Sequence, residues 1–169
     1  YKRQAERLFL EDIQLATEMK LYGHLALVHG NLGNLYLDMN DSQKGLHHLN
    51  LCVEQAAEFY PLAKIIFLAS LALGYAMEGD VQRAVSVIQS QPLKDIEGYK
   101  EEYIQALCKQ VVIYSLANDQ VKVEELKDTL RGIDSDEFAS DSMVKRWLNR
   151  IFKTSNFDSE TLGFVSRGS

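Results

Sequence analysis

Along almost the whole chain, apolar residues recur at the three- and four-residue spacing that lines one side of an α-helix, and short polar breaks interrupt them. Residues 3 to 20 carry Ala5, Leu8, Phe9, Ile13, Ala16 and Met19 in such a stripe. Gly23 follows, and from His24 to Met39 the face is Leu25, Val28, Leu32, Leu35 and Tyr36. Leu46, Leu49, Val53, Ala56 and Ala57 continue in a second helix with Ser42 as its expected cap. Tyr60-Pro61 stops that helix, because the residue before proline resists helical angles. Residues 62 to 78 are apolar on nearly every side, from Leu62 and Ile65 to Tyr75 and Met77, as in a helix buried on most sides. Val81, Ala84, Val85 and Ile88 predict a short helix ended near Pro92. Tyr103, Leu107, Val111 and Tyr114 predict a long one over 99 to 117, followed by Val121, Val123, Leu126 and Leu130. After the polar break Asp134-Ser135-Asp136, Asp141-Ser142 can cap a last helix with Met143, Trp147, Leu148 and Ile151 inward. Residues 154 to 169 are expected to be a flexible tail.

Landmarks in this pattern return at one interval. Tyr36, Tyr75 and Tyr114 are 39 residues apart, and so are the turn pairs Asn40-Asp41, Gly79-Asp80 and Asn118-Asp119. A fixed period of roughly 20–50 residues marks a repeat architecture, in which each unit buries on its neighbours the apolar surface it cannot bury alone. Each landmark tyrosine buries roughly 150–250 Å² in such a stack. Gly33 and Ala72 permit close helix approach, whereas Val111 predicts looser packing in the third unit.

The stretch Leu32-Gly33-Asn34-Leu35-Tyr36, the Asn40-Asp41 turn, and then Gly45 and Leu49 resemble the tetratricopeptide repeat, with His29 where that pattern usually has Trp. The second copy is Leu71-Ala72, Tyr75, Gly79-Asp80, Ala84 and Ile88. The third is Gln110-Val111, Tyr114, Asn118-Asp119 and Val123, with Lys127 where an apolar residue is expected. The resemblance implies an all-α, TPR-like α-α superhelix (solenoid) of antiparallel helix pairs with a C-terminal capping helix. Its parts are a half repeat over 1–22, repeats over about 23–61, 62–98 and 99–133, a capping helix over about 141–153 and the tail 154–169. It also implies a concave groove lined by the first helix of each repeat. The expected groove residues are Leu27, Asn31, Asn34, Leu37 and Asp38; Ile66, Ser70, Leu73, Ala76 and Met77; and Gln105, Lys109, Val112, Ser115 and Leu116. Asn34 and Lys109 match two places of the carboxylate clamp of heat-shock co-chaperones, but Gly30, Ser70 and Gln105 occupy the other three. Without two of its basic groups that clamp is not expected, and a hydrophobic or amphipathic segment suits the groove better.

Composition narrows the classes. A net charge of -6 argues against direct contact with nucleic acid or an acidic membrane, and no apolar run is long enough for a membrane-spanning helix. Cys52 and Cys108 stand alone inside helical patterns, which fits an intracellular, reducing setting and gives neither zinc nor redox spacing. His47-His48 are adjacent and point different ways from a helix, so they read as a solvated face. His24 and His29 miss the i, i+4 spacing of a helical zinc pair, and neither a Walker loop nor G-x-G-x-x-G occurs. The expectation is therefore no enzyme, no metal and no cofactor. The leading reading is a protein–protein interaction scaffold, a fragment of a larger intracellular protein that holds a partner peptide, helix or subunit, with self-association through its end repeats as a further expectation. The alternatives are a peptide-sensing domain of a transcription regulator and an architectural, self-associating segment.

Overall fold

A computed structural model describes residues 1–154 and Phe157, and all regular structure among them is helical. The helices are α1 (Lys2–Glu18), α2 (Tyr22–Asp38), α3 (Ser42–Phe59), α4 (Pro61–Met77), α5 (Val81–Gln89), α6 (Lys100–Leu116), α7 (Gln120–Arg131) and α8 (Met143–Lys153). Single 3-10 turns, Leu93–Ile96 and Ser135–Glu137, lie in the connections. The expected tail falls largely outside the described residues, but Phe157 is buried against the core.

The 39-residue period is built into the turns. Asn40, Gly79 and Asn118 have φ of 59°, 89° and 59°, the left-handed conformation that reverses a helix end and that Gly and Asn adopt most cheaply. The next residue in each case sends its N–H back to the landmark tyrosine: Asp41 to Tyr36 O, Asp80 to Tyr75 O and Asp119 to Tyr114 O. That same aspartate then caps the following helix, accepting from the backbone N–H of Lys44, Arg83 and Lys122 respectively. The cap of α3 is therefore Asp41 rather than Ser42, whose hydroxyl donates instead to Glu78 at 2.7 Å. Ser142 does cap α8, accepting from Lys145 N–H. Basic side chains one turn into the second helix fold back over the rings, with Lys44 Nζ 5.5 Å from Tyr36 and Arg83 Cζ 4.2 Å from Tyr75.

These turns make α2–α3, α4–α5 and α6–α7 antiparallel hairpins. Each helix from α1 to α6 packs on the next in sequence, and the even-numbered helices also pack on one another, α2 on α4, α4 on α6 and α6 on α8. The core lies along that even-numbered row. Every residue of α4 from Phe67 to Ala76 is buried, as its apolar pattern requires, and so is every residue of α6 from Ala106 to Tyr114, polar Lys109 and Gln110 included. Gln110 is accommodated by a ladder in which its amide donates to Gln91, and Gln91 donates to Ile65 O. By contrast α1 buries only Ala16 and leaves Leu8, Leu10 and Leu15 exposed, as is Met19 at its C-terminal cap.

Candidate functional site

Seven of the residues singled out in the sequence converge on one cavity of about 270 Å³. Leu27, Asn31 and Asn34 come from α2, Ile66 and Ser70 from α4, and Gln105 and Lys109 from α6. Phe67, Ala106 and Glu102 complete the lining. A second chamber of about 120 Å³ shares Asn34, Gln105 and Lys109 with the first and adds Leu37, Asp38 and Leu73. Its remaining wall is α8, through Met143 and Trp147.

The local sequence explains this convergence. Leu27, Asn31 and Asn34 follow each other at i, i+4, i+7 along α2, as do Ile66, Ser70 and Leu73 along α4, so each set shares one helix face. Packing of α2 on α4 and of α4 on α6 then sets the three faces side by side. Gly30 has a structural role here: a Cβ on it would lie 2.6 Å from the Phe67 ring, so that ring rests against bare backbone and its flank walls the chamber.

The floor is Lys109. Its side chain is buried, and its Nζ donates to Ser70 Oγ at 2.8 Å and lies 5.9 Å from the Trp147 ring. Burial pushes the ammonium down to about 8, against the pull of the Asp38 carboxylate. Burial also pushes Asp38 up to about 6, opposed by Lys109, Lys2, Arg146 and Arg150. At neutral pH the cavity therefore holds opposite charges on α2 and α6, with no carboxylate among the described residues within ion-pair distance of Lys109. Asn31, Asn34 and Gln105 offer both donors and acceptors to whatever lies above that floor. The arrangement can hold an apolar side chain against Leu27, Ile66 and Phe67 while hydrogen-bonding a neighbouring backbone.

Other expected residues stay out of both chambers. Val112 is wholly buried inside the core, Ala76 is buried, and Met77 and Leu116 are partly buried against the same core. Ser115 lines neither. Phe67, Glu102 and Ala106 were not among the expected groove residues, although Phe67 lies one position after Ile66 in the same apolar run and Glu101-Glu102 read as a solvated face. Met143 and Trp147 were read there only as the inner face of a cap.

Outside the cavity, His47 and His48 part company. His47 is exposed, whereas His48 turns inward and shares a proton with His29 of α2 across a 3.0 Å Nδ1–Nδ1 hydrogen bond, so the solvated reading holds for one of the two. Burial lowers both rings, His48 to about 4, and His47 pushes both in the same direction, joined at His48 by His29. Cys52 and Cys108 are buried free thiols held protonated by burial, Cys52 at about 12, and neither is poised as a nucleophile. Among the described residues no helix is long and apolar enough to cross a membrane, and no three metal-ligating side chains gather. Compared with family profiles, curated proteins and solved structures, this chain finds no significant match in any of the three.

Proposed function

We propose that the chain is a TPR-like helical-repeat scaffold, part of a larger intracellular protein, whose even-numbered helices form a groove that holds a peptide, helix or subunit of a partner protein. One observation carries the reading: residues spread over 83 positions of sequence, Leu27 to Lys109, supply a single amphipathic cavity, with apolar walls beside Asn31, Asn34, Gln105 and Lys109. A core that needed only stability has no use for a buried lysine there, since burying a charge without a close counter-ion is costly. The three turns at 39-residue spacing support the repeat architecture, because each is the same helix reversal, a left-handed Asn or Gly followed by a capping Asp. The buried free thiols support a reducing compartment. Helix α8 in the smaller chamber favours a second reading, in which the chain fills its own groove and serves as an architectural element.

Capture of partners from a matched lysate tests the first reading. The wild type is compared with Asn31→Arg, Gln105→Arg, after both show the same circular dichroism and melting temperature. These positions sit at the surface or half-buried, so the substitutions block the cavity without entering the core, whereas Leu73, at 2% exposure, does not tolerate a charge. A partner retained on the wild type and lost from the variant is the expected result. A partner held equally by both sinks the groove reading.

A further inference from the structure

Helix α8 is held differently from the other helices. Residues 132–142 attach it, a stretch whose regular structure is one 3-10 turn, and its main packing neighbour is α6 rather than α7, which precedes it. Val144, Trp147, Leu148 and Ile151 form its buried side. Met143 and Trp147, one helical turn apart, close the smaller chamber over Leu37, Asp38 and Leu73. Its sequence MVKRWLNRIFK carries four basic residues and no acidic one, in a chain of net charge -6. Arg146 and Arg150 both act on Asp38, so the seat and its occupant are complementary in charge as well as in apolar surface. At 11 residues α8 is shorter than the roughly 12–15 at which an isolated helix becomes even marginal in water, so its helicity depends on the seat.

The seat is also only part of the available surface. The chamber beneath α8 continues, through Asn34, Gln105 and Lys109, into the larger one, which α8 leaves empty. A longer helix of the same character covers what α8 covers and adds contacts along Leu27, Ile66 and Phe67.

We propose that the surface beneath α8 is a docking site for a basic amphipathic helix with an aromatic residue one turn from a Met-like one, and that α8 is its resident occupant, exchanged for such a helix on a partner chain. The proposal rests on the groove reading above and specifies its ligand: apolar anchors set into the seat by their i, i+4 spacing, on a basic helix whose charge complements Asp38. A free helix that repeats these contacts competes with tethered α8 by mass action, and one that also fills the larger chamber does so at lower concentration, because α8 fills only one.

Trp147 is the sole tryptophan of the chain, so its emission reports the seating of α8 and nothing else. The probe is a synthetic peptide of residues 141–157 carrying Trp147→Phe, titrated into the intact protein. The expected result is a saturable red shift of Trp147 emission as α8 is displaced into water, with no shift from a peptide carrying Trp147→Ala, Met143→Ala. Urea unfolding gives an independent reading: the Trp147 transition is expected at lower urea than the loss of helical circular dichroism. Coincident transitions together with no peptide-induced shift overturn the exchange. A dimer in size-exclusion chromatography that forms with rising protein concentration while Trp147 emission stays unshifted also overturns it, by assigning the seat to α8 of a second copy. Loss of partner capture in Asn31→Arg, Gln105→Arg without any Trp147 response leaves the groove reading standing and removes only the exchange.

Discussion

The first and third hairpins share a turn and differ at nearly everything the turn brings together. Both reverse at an asparagine with φ of 59° followed by a capping aspartate. Where the helices cross, however, α2–α3 sets Gly33 against Gly45, while at the same register α6–α7 has Val111 and Val123, both buried, with Ala72 and Ala84 between the two extremes in α4–α5. A Cβ on Gly33 would stand 2.5 Å from Leu49 Cγ and 3.2 Å from the Gly45 carbonyl, so the first pair lies backbone to backbone. Two valines in that place hold the third pair apart by their own volume. The turn is thus a local device that any crossing can use, and the crossing residues set the spacing of each hairpin. The polar positions differ as well. His29 and His48 meet inside the first hairpin where the same register gives Leu107 and Leu126 in the third, and the register of Asn31 and Ser70 gives buried Lys109 in α6.

The largest expected effect comes from importing the third hairpin's residue into the first. Gly33→Val drives a branched side chain into Leu49 and is expected to cost about 3 kcal/mol or more, at the upper end of overpacking. The converse direction is milder: Val111→Ala, the residue of the middle hairpin, leaves a small cavity and is expected to cost about 2 kcal/mol. Urea midpoints read both, and equal losses would remove the distinction between a tight and a spaced crossing.

Next in size is the groove lysine. Its folded pKa lies below that of the unfolded chain, so the stability it contributes as a neutral group is lost as pH falls from 10.5 through about 8. At pH 7 the full cost is present. Lys109→Met is therefore expected to raise stability by about 1–3 kcal/mol, less the small loss of its hydrogen bond to Ser70. A fall in melting temperature at pH 7 contradicts this account of the floor.

The landmark tyrosines separate the hairpins by a smaller margin. The Tyr75 hydroxyl donates to Asn50 Oδ1 at 3.3 Å, whereas the Tyr114 hydroxyl has no such partner among the described residues. Tyr75→Phe is expected to cost about 1 kcal/mol and Tyr114→Phe close to nothing, by thermal unfolding of the two variants side by side.

The smallest effect concerns acid. Both rings of the His29–His48 pair have folded pKa values below the ordinary 6.5, so the stability of the neutral pair is complete above pH 6.5 and is lost as pH falls through about 4. His47, the Tyr36 ring and, from α1, Glu6 with its Arg3 partner are the other groups at this end of the hairpin. Between pH 7 and 4.5 the wild type is expected to lose more stability than His48→Gln, and parallel losses would assign the acid response to carboxylates elsewhere.

Much of this protein was legible from its residues. The helices and their breaks followed from 3.6-residue periodicity, and the three reversals from Asn or Gly before Asp, because those features act within a few residues along the backbone. The face of α2 that carries Leu27, Asn31 and Asn34 was readable for the same reason. What covers a face was not readable in this way. Val112 belongs to a plausible groove stripe by spacing, yet it lies wholly buried, while Lys109 on the same helix forms the floor of a cavity. The sequence by itself determined the elements, the period and the turn chemistry, since each is a short-range preference. Only the tertiary structure decided that His29 meets His48, that Lys109 is buried beside Ser70, and that Trp147 closes the second chamber. Those pairings join residues that are distant in the chain, and they depend on the spacing and rotation of packed helices, which no local pattern encodes.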